Sequence, residues 1–185
     1  MKKMIHLDCD GVIADWRLYM ETHHFKEFTV AQFNAMDPCR RSTILQEVYR
    51  KDKDLFAKLP VIPKIGRLIY HLNKTGEPWG ILTSAGEDHP DYNHAAESKR
   101  QWLYNRFGIP RHNVIVTENS HQKVQYADPE SLLIDDFGRN CREWVEAGGK
   151  AIWVHTGAPN VDAVIDAVDD FIHDRAMFTE SLISV

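Results

Sequence analysis

The chain has 185 residues, 27 of them acidic against 22 basic, for a formal net charge of −5. With 43% hydrophobic and 26% charged residues, it has the composition of an ordinary globular protein, which excludes a disordered chain, a coiled coil and a collagen-like repeat. The acidic balance argues against a protein that coats nucleic acid nonspecifically, because such binding is driven by Lys and Arg neutralising many phosphates.

The opening MKKMIHLDCD is basic but has no apolar core, so it does not read as a signal peptide. Met4–Leu7 is a short apolar run that ends at Asp8 and predicts a first strand. Residues 15–59 are polar and aromatic, and no strand is expected in them. Thr29 with Gln32 makes a capping box for a helix carrying Val30, Phe33 and Met36. A second helix is expected after Ser42, with Ile44, Leu45, Val48 and Tyr49 at helical spacing.

After Pro60 and Pro63, strand-like and helix-like segments alternate. Ile65, Leu68, Ile69 and Leu72 form one helical stripe, closed by Gly76. Trp79–Leu82 is expected as a strand, followed by a helix with Trp102, Leu103 and Phe107 that stops at Gly108. Val114–Val116 and Leu132–Ile134 are further strands. A helix with Cys141, Trp144 and Val145 ends at Gly148-Gly149, Ala151–Val154 is a fifth strand, and the last helix holds Val161, Val164, Ile165 and Val168. Strands separated by helices imply an α/β fold with a mainly parallel sheet flanked by helices. The tail from Ala176 to Val185 carries no motif.

No apolar run approaches the roughly 20 residues that a membrane helix needs. Three cysteines, Cys9, Cys39 and Cys141, are an odd number without metal-type spacing, which predicts free thiols and a reducing cytoplasm. His23, His24, His89, His94 and His121 match no zinc pattern and are expected on the surface or among the helices of residues 15–59. Trp144 and Trp153 lie on apolar stripes and are expected in the core.

In open parallel sheets, ligands sit beyond the carboxyl ends of the strands. Just past the expected strands stand Asp8-Cys9-Asp10-Gly11-Val12, then Thr83-Ser84, then, after a short loop, Lys123, then Asp135-Asp136. In an extended chain Asp8 and Asp10 point to one side and Cys9 to the other. Two neighbouring carboxylates repel unless one keeps its proton or a cation joins them, and an all-oxygen acidic site suits magnesium. Gly11 permits a sharp turn. The hydroxyls and turn N–H groups of Thr83 and Ser84 can hold phosphate oxygens, and Lys123 can neutralise a phosphoryl group. Taken singly, each has a plainer use: Asp and Gly as turn residues, Ser and Thr as helix caps, Lys as a solvated charge.

Taken in order, these residues resemble the four motifs of the haloacid dehalogenase superfamily of phosphohydrolases, over residues 3–14 and 60–157. The resemblance implies a Rossmann-like core of residues 1–14 and 60–185, with a small helical cap of residues 15–59 inserted after the first strand. It implies Asp8 as the nucleophile that forms an aspartyl-phosphate and Asp10 as general acid and then base. Thr83 would hydrogen-bond the phosphoryl oxygens, and Lys123 would steady Asp8 and the transferred group. A Mg²⁺ ion would be held by Asp8, the Asp10 backbone carbonyl and Asp135, with Asp136 beside it. An acid at Asp10 favours a phosphatase or phosphomutase, because a departing alkoxide needs a proton.

The segments Asp10–Trp16 (DGVIADW), Ile81–Ser84 (ILTS), Lys99–Trp102 with Phe107-Gly108, Lys123-Val124 with Ala127-Asp128, and Leu132–Asp136 (LLIDD) look like the 5′(3′)-deoxyribonucleotidase family. That likeness implies a nucleoside monophosphate as substrate, with Ser84 and Lys99 on its phosphate. Trp16, Phe25, Phe28 and Phe33 would then either stack near a base or form the core of the cap. Runner-up readings are a 3′-phosphatase acting on polynucleotide ends in repair and another small-molecule phosphatase of the superfamily. The expected partner is a small phosphorylated molecule, with no membrane and no extended duplex.

Overall fold

The computed structural model describes residues 2–86, 88–174 and 181–185. Six strands form one sheet: β1 (Met4–Leu7), β2 (Trp79–Ser84), β3 (Val114–Thr117), β4 (Ser131–Asp135), β5 (Lys150–Trp153) and β6 (Leu182–Ser184). Their order is β3-β2-β1-β4-β5-β6 and every pairing is parallel. The helices are α1 (Trp16–His23), α2 (Val30–Asn34), α3 (Pro38–Lys51), α4 (Leu55–Lys58), α5 (Ile65–Thr75), α6 (Tyr92–Phe107), α7 (Gly138–Glu146) and α8 (Val161–Ile172). No helix among the described residues is long and apolar enough to cross a membrane.

The strands read as continuous apolar runs because both faces of the sheet are covered. Leu82, Leu133 and Ala151 pack with Cys141 and Trp144 of α7 in one cluster. Their neighbours Ile81, Leu132, Ile134 and Ile152 belong to the larger core with Leu68 of α5 and Val164 and Phe171 of α8. The period-two alternation of strand side chains thus serves two cores at once. The α5 stripe ends as expected at Gly76, whose φ of 77° is left-handed and carries no steric penalty in glycine.

The five expected strands are all present, with shifted ends. β2 runs on through Thr83 and Ser84, which pair with Val116 and Thr117, and β4 includes Asp135. The capping box at Thr29 and Gln32 forms with both of its hydrogen bonds. The helix expected after Ser42 begins earlier, at Pro38, because Asp37 caps it by accepting from the Arg40 N–H at 3.0 Å. Proline suits that first turn, where its missing N–H would have no partner. Trp144 is fully buried, but Trp153 is 38% exposed and is no core residue. β6 falls in the tail that carried no motif; residues 176–180 of that tail lie outside the described residues.

β1 is central. The chain proceeds from it to β2 and β3 on one side, then crosses to β4 on the other. The gap between β1 and β4 is therefore the topological switch point, where open α/β sheets bind ligands. Asp8 continues β1 there, its N–H donating to the Ile134 carbonyl at 2.9 Å. The chain leaves for α1 at Asp15 and returns at Pro60, and these points are neighbours: Asp15 N donates to Pro60 O at 2.8 Å, and Ile62 N to Ile13 O at 2.9 Å. Residues 15–59 are thus an all-helical excursion that starts and ends beside the carboxyl end of β1.

Candidate active site

A cavity of about 230 Å³ opens at the switch point, lined by Asp8, Asp10, Trp16, Tyr49, Ser84 and Asp136 among others. The sheet supplies its floor, and α1, α2, α3 and α4 of the excursion contribute Trp16, Val30, Tyr49 and Phe56 to its walls.

Two lysines lie beneath the carboxylates. Lys123 stands on a short 3₁₀ segment, Ser120–Tyr126, and is 2% exposed. Its Nζ lies 3.0 Å from Asp8 Oδ1 and donates to Asp135 Oδ2 at 2.7 Å. Burial alone would lower its pKa, but Asp135 and then Asp8 hold it well above the ordinary lysine range, so the ammonium stays charged. Lys99 comes from α6 and is 1% exposed. It donates to Asp10 Oδ2 and, at 3.2 Å, to Thr83 Oγ1, and it sits 4.3 Å from the centre of the Phe56 ring. The two β1-end carboxylates therefore have one ammonium each.

Asp135 is fully buried at the end of β4. Its Oδ1 accepts from Phe137 N at 2.8 Å, and Asn140 Nδ2 lies 3.2 and 3.0 Å from its two oxygens. Burial pushes its pKa up against the pull of Lys123. Asp136 is pushed well above the usual carboxylate range by burial, then by Asp135 and Asp8, with a Thr156 hydrogen bond opposing. Gly11 makes room for it. Its φ is 82°, and a Cβ there would lie 2.0 Å from Asp136 Oδ2.

Asp8, Asp135 and Asp136 offer oxygens within 4.8 Å of one another. One ammonium, Lys123, touches two of these three carboxylates, Asp8 and Asp135, so the set is an under-compensated, all-oxygen donor group. That chemistry fits a hard divalent cation. The Asp10 carboxylate is turned instead toward Lys99, while its Oδ1 is shielded from solvent and has no hydrogen-bond partner. Burial raises the Asp10 pKa, with Lys99 opposing and Asp8 adding to the rise. It is the carboxyl of the pair better placed to hold a proton.

The sequence-predicted residues thus gather at one mouth, in two layers. Asp8, Asp10, Ser84, Asp136 and Trp16 line the cavity, whereas Thr83, Lys99, Lys123 and Asp135 lie under its wall, each 2% exposed or less. Phe25 and Phe33 are buried and stack on each other, 4.9 Å between ring centres, so they are core of the helical excursion. Trp16 packs edge-on to Phe25 at 6.0 Å and presents its remaining surface to the cavity. His89 is buried rather than on the surface, 4.9 Å from the Tyr49 ring. The three cysteines are free thiols.

Sequence reasoning missed Tyr49, Phe56, Phe137, Thr156 and Asn140. The first two lie on apolar helical stripes, which only the fold turns toward the site. Asn140 left a signal: it sits beside Cys141 on the buried face of α7, where a polar residue needs a buried partner.

No family model and no curated protein matches the sequence. Solved structures do match the fold. A haloacid dehalogenase-like family hydrolase from Streptococcus pneumoniae superposes with a TM-score of 0.60 at 14% identity, over 99% of this chain and 93% of that one. A predicted phosphatase from Clostridium acetobutylicum gives 0.60 at 10% identity, over 92% and 99%. D,D-heptose 1,7-bisphosphate phosphatase from Burkholderia thailandensis gives 0.52 at 12% identity, over 100% and 92%. The chain therefore has the haloacid dehalogenase-like fold, a Rossmann-like α/β sheet flanked by helices.

Proposed function

We propose that the protein is a magnesium-dependent phosphomonoesterase that works through an aspartyl-phosphate on Asp8, with a nucleoside monophosphate as its substrate. The observation that carries this reading is the division of labour at the end of β1. Asp8 is held by Lys123 beside two further carboxylates, and Asp10, two residues on, lines the cavity and is held by Lys99.

The chemistry runs from these residues. An Asp8 oxygen attacks phosphorus, and the P–O bond to the leaving group breaks as the Asp8–phosphorus bond forms. Asp10, whose pKa burial raises against the pull of Lys99, gives its proton to the departing alkoxide and then takes one from the water that opens the acyl-phosphate. Ser84 at the cavity wall and Lys123 under the floor meet phosphoryl oxygens; Lys99, which donates to Thr83 Oγ1, holds Asp10 in place. Magnesium bound by Asp8, Asp135 and Asp136 would supply the positive charge that phosphoryl transfer requires.

Residues 15–59 act as a cap that excludes water and contacts the leaving group, as their position around the cavity suggests. The nucleotide assignment rests on the likeness of segments such as Asp10–Trp16 and Leu132–Asp136 to the 5′(3′)-deoxyribonucleotidases. Three free thiols agree with a cytoplasmic protein.

The test is a panel of kcat/KM values in Mg²⁺ for 5′- and 3′-mononucleotides, sugar phosphates and end-phosphorylated oligonucleotides. Mononucleotides are expected to lead. Preference for oligonucleotide ends would move the assignment to strand-end processing, and no turnover of any phosphomonoester would overturn the reading.

A further inference from the structure

Beside the cavity that holds Asp8 and Asp10 lies a second and larger one of about 570 Å³, within the range of small-ligand sites. Its lining includes Phe33, Arg41, Ser42, Leu45, Phe137 and Arg139. Phe137 borders both cavities, so the two adjoin at this residue.

Two arginines from separate elements line this cavity. Arg41 of α3 makes no ion pair and no side-chain hydrogen bond among the described residues, and its Nε is shielded from solvent. Arg139 of α7 lies 4.9 Å over the Phe137 ring and donates to Ser120 Oγ at 2.8 Å. Its Nε is also shielded and has no acceptor; Glu143 Oε1 stands off at 3.7 Å. Both arginines line the cavity, and among the described residues no carboxylate stands within hydrogen-bond distance of either guanidinium, which leaves their charge for an anionic ligand.

The charge pattern agrees. Among the described residues, the lining of the Asp8 cavity carries the carboxylates of Asp8, Asp10 and Asp136 and no basic side chain. The second cavity carries Arg41 and Arg139 against one carboxylate, Asp88, which accepts the Ser42 hydroxyl. The planar guanidinium fork matches phosphate and carboxylate oxygens.

We propose that this cavity is an anion subsite in which Arg41, assisted by Arg139, binds a second phosphate or carboxylate carried on the leaving group of the substrate. The proposal rests on phosphomonoester hydrolysis at Asp8 and adds that the preferred substrate is bis-anionic; a nucleoside 3′,5′-bisphosphate satisfies both.

Wild type, Arg41→Gln, Arg41→Lys and Arg139→Gln are to be compared on butyl phosphate, butane-1,4-diol bisphosphate, 4-phosphonooxybutanoate, and a nucleoside 5′-monophosphate with its 3′,5′-bisphosphate. The wild type is expected to favour esters with a second anion by roughly tenfold or more in kcat/KM, the size of one good charged contact, expressed mainly in KM. Arg41→Gln abolishes the preference while leaving butyl phosphate turnover unchanged, and Arg41→Lys keeps part of it. The better of the bisphosphate and the carboxylate identifies the second group. Equal kcat/KM for mono- and bis-anionic esters, or a preference that survives both glutamine variants, overturns the subsite. If no ester is turned over, the phosphatase reading fails on its own, and calorimetric titration decides the subsite separately. Tighter binding of butane-1,4-diol bisphosphate than of butyl phosphate, lost in Arg41→Gln, upholds it, and equal binding overturns it.

Discussion

Lys99 reaches the Asp10 carboxylate from a position that is only 1% exposed, while the second Asp10 oxygen is shielded and has no hydrogen-bond partner. Removing one member of so deeply placed a pair leaves the other without its counter-charge, which is costly. The pair therefore holds Asp10 in place and opposes the upward push of burial on its pKa.

Lys99→Met tests this directly. The variant is expected to lose about 3 kcal/mol, the low end for breaking a buried pair, because the Asp10 side chain retains 27% exposure. With Lys99 gone the Asp10 pKa rises, so the proton it donates is held to higher pH and the basic limb of the kcat profile moves up. Urea unfolding and a pH–rate series measure both effects. The double variant Lys99→Met/Asp10→Asn regains stability without regaining activity. An unchanged unfolding midpoint in Lys99→Met contradicts the pairing.

Asp8→Asn keeps the shape of the site and removes the attacking oxygen. Turnover should fall by at least about a thousandfold, with the circular dichroism spectrum unchanged. Steady-state activity near the wild-type level would assign the nucleophile elsewhere.

The acidic cluster carries a prediction that needs no substrate. Mg²⁺ added to EDTA-treated protein is expected to raise Tm, by about 2.7 kcal/mol of stabilisation at a hundredfold excess over Kd. In Asp136→Asn the Mg²⁺ response shrinks, while the metal-free protein is as stable as wild type or more so, because a like charge has left Asp8 and Asp135. A Tm indifferent to Mg²⁺ in the wild type counts against a cation site at these residues.

Much of this arrangement could be read along the chain. Strands β1 to β5 announce themselves as apolar runs, and β1, β2 and β4 lead into polar residues that the sheet must then place at one edge; Asp8, Thr83 and Asp135 follow from that rule alone. β6 could not be read, because three half-exposed residues on a sheet edge carry no periodic signal. Lys99 and Lys123 show the other limit. Their sequence neighbourhoods resemble solvated helix surface, and only the docking of α6 and of the 3₁₀ segment against the strand ends turns them inward. Arg41 and Arg139 are nearly a hundred positions apart in the chain, and nothing local joins them before the fold does.

Gly11→Ala puts a methyl group 2.0 Å from Asp136 Oδ2 and forces an L-residue to φ 82°. The backbone term alone costs roughly 1–2 kcal/mol, and the clash displaces the Asp136 carboxylate. Activity and the Mg²⁺-dependent Tm shift should fall together. Loss of stability with the Mg²⁺ response intact would show that Asp136 has room to move.

Asp52 supplies a pH prediction away from the site. Its Oδ2 accepts from Tyr19 Oη at 2.8 Å and lies 3.2 Å from His24 Nε2, and its Oδ1 accepts from Lys58 Nζ at 2.6 Å. It therefore ties the end of α3 to α1 and α4. Burial pushes its pKa up, but Lys58, Tyr19 and His24 together hold it below the ordinary carboxylate value. With the folded pKa depressed, the unfolded chain takes up the proton first as pH falls. The stabilisation is thus complete above the unfolded carboxylate pKa and is lost as pH drops through the folded value. Asp52→Asn should cost about 2 kcal/mol at pH near 7, in line with hydrogen bonds to a charged group. That deficit should shrink below pH about 4, where the wild type loses the same charge. Urea unfolding of both proteins across this range measures it. A deficit that stays constant down to pH about 2 would mean that the shape of the Asp52 side chain, and not its charge, joins the three helices.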